Sequence, residues 1–222
     1  MSREKDAFAA AIFDFEGTLV DFQWQLGPAE AELRREFAKL GFEGEAFALA
    51  NYASMWNAAA ETLAPHGRMA ELRRAIAPVY DRWDADALTR WAARPEAAQL
   101  LRSLAAMGIR TGMVSNIGRA ALAPALERFD FARWLSPVVS RDDVTFMKPR
   151  GEGILSVLRE WRMAPQSVLF VGDSRADVLG ARAAGLRVAI IRGGECAQPD
   201  FADLSPDHWV SRPGELEELI AG

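Results

Sequence analysis

The chain holds 222 residues, 50% of them hydrophobic and 26% charged, which suits one large domain or a core with an insert and excludes a disordered chain or a large multidomain assembly. Its net charge is −5 and no run of five like charges occurs, so the basic footprint of a nucleic-acid or anionic-membrane binder is missing. A single cysteine, Cys196, excludes an intramolecular disulfide framework, and with only His66 and His208 beside it there is no cluster for zinc. In chain order, FAAAIFDF (8–15) reads as a buried strand running into the loop at Gly17-Thr18. The opening Met1-Ser-Arg-Glu-Lys-Asp carries no cleavable signal pattern, and no apolar run approaches the length of a membrane span, so a cytoplasmic protein is expected. From about Pro28 to Arg94 strand-like alternation is absent, and three amphipathic helices are predicted: AEAELRREFAKLG, EAFALANYASMWNAAAETLA and RMAELRRAIAPVYDRW. After Pro95 helices alternate with short apolar runs: IRTGMVSN, SPVVS, SVLFVGDS, LRVAII and HWV are the strands. Such βαβ repetition specifies an α/β, Rossmann-like parallel sheet with helices on both faces, interrupted after its first strand by a helical insert. The expected boundaries are residues 1–20 and 95–222 for the α/β core and 21–94 for the insert.

In an open parallel sheet, ligands bind outside the carboxyl ends of the strands. Those ends carry Asp14, Glu16 and Thr18 after the first strand, Ser115 and Asn116 after the second, Lys148-Pro149 before the helix that follows the third, and Asp173, Ser174 and Asp177 after the fourth. Residues 14 and 16 share a side if the strand's period of two holds through them, so one carboxylate can attack while its neighbour handles protons. A carboxylate is a competent nucleophile toward phosphorus, and Asp14 is the candidate. Asp173 and Asp177, four apart at a helix start, face the same way and with Asp14 would repel one another without a cation. All-oxygen donors of this kind suit Mg²⁺. Ser115 can donate to a phosphoryl oxygen, and Lys148 can offset charge on a transferring group. The chain has only three lysines, Lys5, Lys39 and Lys148, which makes a lysine at this strand end less expected by accident. Singly each piece has an ordinary use, Ser174 or Asp173 as a helix cap among them.

Taken in order, DFEGTL, MVSN, KP and VGDSRAD resemble the four motifs of the haloacid dehalogenase-like hydrolase superfamily. The resemblance covers nearly the whole chain and makes the insert a helical C1-type cap. It implies a Mg²⁺-dependent phosphatase acting on a small phosphorylated metabolite through an aspartyl-phosphate, with phosphoglycolate-phosphatase-like activity as one assignment. Asp14, Glu16 and Lys148 would be catalytic. Thr18, Ser115, Asn116 and Lys148 would hold phosphate, and Asp14, Glu16 through its backbone carbonyl, Asp173 and Asp177 would hold the metal. One departure stands out: Glu16 occupies a position that is Asp in most phosphatases of the superfamily, although its enolase-phosphatase branch has a similar Asp-x-Glu-Gly-Thr. A phosphomutase, a 2-haloacid dehalogenase and a binding protein with a vestigial site are the competing readings, whereas a phosphonoacetaldehyde hydrolase is opposed by Glu16 and by Lys39 as the one lysine of the insert. Trp24, where the family has a flap over the site, and Arg34, Arg35, His66 and Arg68 in the insert are the candidates for substrate contact.

Overall fold

The strands that the apolar runs predict are Ala10–Phe13 (β1), Arg110–Val114 (β2), Val138–Val139 (β3), Val168–Gly172 (β4), Arg187–Ile191 (β5) and His208–Val210 (β6), in a computed structural model that describes residues 8–222. Among the described residues they form a six-stranded sheet in the order β3-β2-β1-β4-β5-β6, with every pairing parallel. β1 is therefore central, and its loop opens at the middle of the carboxyl edge, between those of β2 and β4. Alternation holds along it: Ala11, Phe13 and Phe15 enter the apolar cluster on one face, Ala10 and Ile12 the cluster on the other. Helices Ala97–Ala106 (α5), Arg119–Arg128 (α6), Glu152–Trp161 (α7), Arg175–Ala183 (α8) and Gly214–Ala221 (α9) supply the connections and the end of the chain.

Between β1 and α5 lie four helices: Leu26–Lys39 (α1), Glu45–Leu49 (α2), Tyr52–Leu63 (α3) and Met69–Leu88 (α4). The sequence predicts one helix over 45–64, but the chain breaks there into α2 and α3. Ala50 is extended, and the Asn51 side chain accepts from Ser54 N at 2.8 Å, so an N-cap outcompetes a continuous helix. The third helix runs to Leu88, past the expected end at Trp83, and passes through Pro78. Its stripe of Leu72, Ile76 and Tyr80 packs into the core with α1 and α6, and that burial outweighs one lost backbone bond.

The helical block and the sheet are joined in three ways. Asp21 N donates to Ala92 O at 3.0 Å and Arg94 N to Leu19 O at 2.9 Å, so the chain entering the block and the chain leaving it run side by side. Residues of α1, α3 and α4 share one buried apolar cluster with one face of the sheet. Lastly, α3 grips the loop that leads to Lys148: Trp56 Nε1 donates to Thr145 O at 2.9 Å, while Asn57 donates to Met147 O at 3.0 Å and accepts from Met147 N at 2.9 Å. No described helix is long and apolar enough to cross a membrane.

Candidate active site

The four polar strand ends meet at one place. Lys148 Nζ donates to Asp14 Oδ1 and to Asp177 Oδ1, both at 2.6 Å, and all three side chains are buried. Burial alone would depress the ammonium, but the charges of Asp14 and Asp177 outweigh it and hold Lys148 protonated, above its ordinary range. Its backbone is fixed too. Asn116 Oδ1 accepts from Lys148 N at 3.0 Å, and Asn116 Nδ2 donates to Lys148 O at 3.2 Å.

Carboxylate oxygens of Asp14, Asp173 and Asp177 lie within 4.8 Å of one another. Burial pushes Asp14 up to about 6 against the pull of Lys148, with the Asp177 charge adding to the rise. Burial and then the charges of Asp177 and Asp14 raise Asp173 well above the carboxylate range. One ammonium cannot balance so many acids in so little water, and this buried all-oxygen set fits a hard divalent cation such as Mg²⁺. Two glycines are needed for Asp173 to sit there: a Cβ on Gly17, whose φ is +80°, or on Gly194 would overlap the Asp173 carboxylate. Asp177 is otherwise engaged. Its Oδ2 accepts from Asp173 N at 3.1 Å, Ser174 N at 3.0 Å and Ser174 Oγ at 2.8 Å, so one side chain caps α8 and anchors Lys148.

Glu16 stands apart from that cluster. A single oxygen, Oε1, accepts from Gln23 N at 2.8 Å, Trp24 N at 2.7 Å and Trp91 Nε1 at 2.8 Å. These bonds favour the charged form, but burial dominates and carries the pKa up to about 7. A carboxyl poised there can give and take a proton near neutral pH.

Asp14, Glu16, Ser115, Asn116 and Lys148 line a common cavity. Thr18 does not reach it: its hydroxyl donates to Asp173 Oδ1 at 3.2 Å, so this threonine, read as a phosphate ligand, steadies a carboxylate. Trp24 lines an adjoining cavity. Two of the candidate arginines of the insert lie elsewhere. Arg34 is held by Glu30 in α1 and by Ala50 O at the end of α2, and Arg68 pairs with Glu71 on the exposed surface.

Four residues escaped the reading of the sequence. Glu195 follows β5, lines the same cavity, and donates its backbone N–H to Asp173 Oδ2 at 2.5 Å; burial and the charges of Asp177 and Asp14 raise it to about 8. The strand-end rule applied to β5 would have found it. Trp91 packs edge-on against Phe15 in the buried apolar cluster and also serves Glu16, and nothing local in the sequence distinguishes it for that second role. Asp84 and Arg141 form an ion pair at 2.7 Å, each 1% exposed. Asp84 continues the buried stripe Leu72, Ile76, Tyr80 at the next fourfold step, and an acid on an apolar face was the available signal.

A family model for haloacid dehalogenase-like hydrolase matches residues 8–185. Over 91 residues, 41% of the chain, it is 43% identical to phosphoglycolate phosphatase of Escherichia coli (strain K12); the match spans 36% of that relative's length. Solved structures share the fold throughout. A HAD-superfamily hydrolase of subfamily IA, variant 1, from Geobacter sulfurreducens aligns over 96% of this chain and 100% of its own at 21% identity, TM-score 0.63. CbbY from Rhodobacter sphaeroides, in complex with phosphate, aligns over 94% and 96% at 21% identity, TM-score 0.63.

Proposed function

Because the chain belongs to the haloacid dehalogenase-like hydrolases, we propose that it is a Mg²⁺-dependent phosphatase of small phosphomonoesters, working through a phosphoryl group carried on Asp14, with residues 21–94 as the cap over its site. The observation that carries this reading is the Lys148 ammonium bridging Asp14 and Asp177 at 2.6 Å inside a buried carboxylate cluster that opens on a cavity. The curated relative is a phosphoglycolate phosphatase, and one neighbour of the fold holds phosphate, which fits the same chemistry.

Lys148 holds Asp14 Oδ1, which leaves the other oxygen to attack phosphorus. A P–O bond forms to Asp14 as the ester P–O bond breaks, and the protonated Glu16 carboxyl gives its proton to the departing alkoxide. Glu16, now a carboxylate, takes a proton from water, whose oxygen attacks the phosphorus on Asp14. Inorganic phosphate leaves and both carboxyl groups return to their starting states. Ser115 and Lys148 donate to the phosphoryl oxygens. Mg²⁺, held by Asp14, Asp173 and the backbone carbonyl of Glu16 with Asp177 behind them, would supply the positive charge that lets an anionic nucleophile approach a phosphate dianion. The setting we propose is the cytoplasm, on the single and free Cys196.

Release of inorganic phosphate from p-nitrophenyl phosphate tests the reading. Turnover should need Mg²⁺, stop in excess EDTA, fall with Ca²⁺, whose looser coordination displaces the reacting groups, and vanish in Asp14→Asn. Undiminished hydrolysis in EDTA or by Asp14→Asn would remove the proposed nucleophile and metal site together.

A further inference from the structure

The lysine at the centre of the site sits on neither a strand nor a helix. Residues 144–150 are irregular chain, so the backbone there has no ladder to join and its buried N–H and C=O groups must find other partners. Glu152 takes the amides of Thr145 and Phe146 at 2.9 and 2.8 Å, and the Trp56 indole takes Thr145 O at 2.9 Å. The next two residues are served by a pair of asparagines. Asn57 bonds to both backbone polar atoms of Met147, N at 2.9 Å and O at 3.0 Å, and Asn116 does the same for Lys148, at 3.0 and 3.2 Å.

The peptide unit joining Met147 to Lys148 is therefore held at its C=O by Asn57 and at its N–H by Asn116. A peptide unit is rigid and planar, so two holds of this kind fix its orientation. Asn116 also holds Lys148 O, in the unit that follows, and with both planes set the direction in which the lysine side chain leaves the backbone is set too. That matters because a lysine stem is long and flexible, while its ammonium has to meet Asp14 and Asp177 at 2.6 Å each. Met147 O accepts a further bond from Arg150 N at 2.9 Å, but that one lies within the loop itself.

The two asparagines come from different parts of the molecule. Asn116 follows β2 and belongs to the sheet, whereas Asn57 stands on α3 of the helical block, 90 residues from Met147. Asn57 is also costly where it is. It is a poor helix former inside a helix, it is followed by three alanines, and it is 6% exposed among the buried Trp56, Ala59 and Ala60. A buried amide is tolerated when its donor and its acceptor are both met, and Met147 meets both. An alanine would serve the helix better, and what the asparagine adds is the hold on the loop.

We infer that Asn57 is a positioning residue for phosphoryl transfer: through the Met147–Lys148 peptide it keeps the Lys148 ammonium against Asp14, which makes the helical block a working part of the site as well as its cover. This inference rests on the phosphatase reading above, in which Lys148 faces the transferring group. The test is a double-mutant cycle on the full chain with Mg²⁺. Asn57→Ala should lower kcat/KM for p-nitrophenyl phosphate by about 10²-fold, the scale of a misplacement of about 1 Å beside a reacting group. In a Lys148→Ala background the same substitution should cost little more, because no ammonium is left to misplace. If Lys148→Ala turns nothing over, the cycle is read from calorimetric affinity for orthovanadate, which imitates the pentacoordinate phosphoryl group.

Trp56→Phe cuts the neighbouring bond between α3 and the loop, so it controls for a loosened contact and should leave kcat/KM close to that of the parent. Should Asn57→Ala fail to fold, the nearly isosteric Asn57→Asp takes its place, keeping an acceptor for Met147 N and setting another against Met147 O. Full and independent losses in the double variant, a parental rate in a folded Asn57 variant, or an equal loss in Trp56→Phe overturns the inference and leaves the phosphatase reading standing. No turnover by the parent chain sinks the phosphatase reading and this inference with it.

Discussion

Glutamate's extra methylene at position 16 reaches about 1.5 Å farther than aspartate would, and the molecule uses that reach to seat Oε1 on two backbone amides and an indole. An acid held so firmly has its proton affinity set by the balance of burial against those three donors. Glu16→Gln should slow hydrolysis of alkyl phosphates by roughly 10²–10⁴-fold, while an aryl phosphate, whose leaving group needs little protonation, should leave phosphorylated Asp14 to accumulate. Acid quench and intact-mass measurement would detect the adduct. Wild-type rates on both ester types would reduce Glu16 to a structural carboxylate. Trp91→Phe makes a finer prediction. Loss of one bond to the charged form raises the Glu16 pKa further above about 7, so the alkaline limb of kcat/KM for an alkyl ester should move to higher pH. A merely loosened core would lower the rate without moving the limb.

Single elements carry the join between helical block and sheet. Asp84, on α4, gathers the Trp24 indole, the amide of Gly118 and the guanidinium of Arg141 from three separate segments. Asp84→Ala would strand Arg141 in the interior with only the half-exposed Asp81 to balance it, and should cost about 3 kcal/mol by chemical denaturation, the lower end for a broken buried pair. A loss below about 1 kcal/mol would show that the pair is merely neutral there. The pairing could not be read along the chain, because Asp84 and Arg141 are 57 residues apart and only the acid on the apolar stripe of α4 gave a local sign. The sheet, its parallel order of strands and the four strand ends were legible, since β-period alternation and loop chemistry are local. The break at Asn51 was missed because the apolar pattern runs on through it, while the capping bond to Ser54 depends on one side chain. The partner of Thr18 was hidden for a related reason: its place in the motif is visible, but which carboxylate its hydroxyl meets is decided by Asp173, 155 residues on.

For the molecule as a whole, the crowded acids make stability depend on pH and metal together. Asp14 rises from 3.8 to about 6, Glu16 from 4.5 to about 7 and Glu195 from 4.5 to about 8, so the folded state binds more protons than the unfolded one between these limits. Stability is then lost as pH rises through the folded values. The Tm of metal-free protein should fall between about pH 5 and pH 8, and fall less in Glu16→Gln, where one of the three groups no longer titrates. Mg²⁺ should raise Tm more at pH 8 than at pH 5, because only ionised carboxylates bind it. A Tm that climbs with pH in EDTA, or a metal effect larger in acid, would contradict the cluster's role. The side-by-side passage of the chain at Leu19–Asp21 and Ala92–Arg94 has a consequence for how such a protein changes over generations. The chain enters and leaves the helical block through one socket whose two passages are neighbours, so one block can be exchanged for another without cutting a strand. Yet Gln23, Trp24 and Trp91, the three donors to Glu16, all sit on the exchanged side of that socket. A lineage that borrows a new block to reach new substrates therefore inherits a retuned acid in the same event.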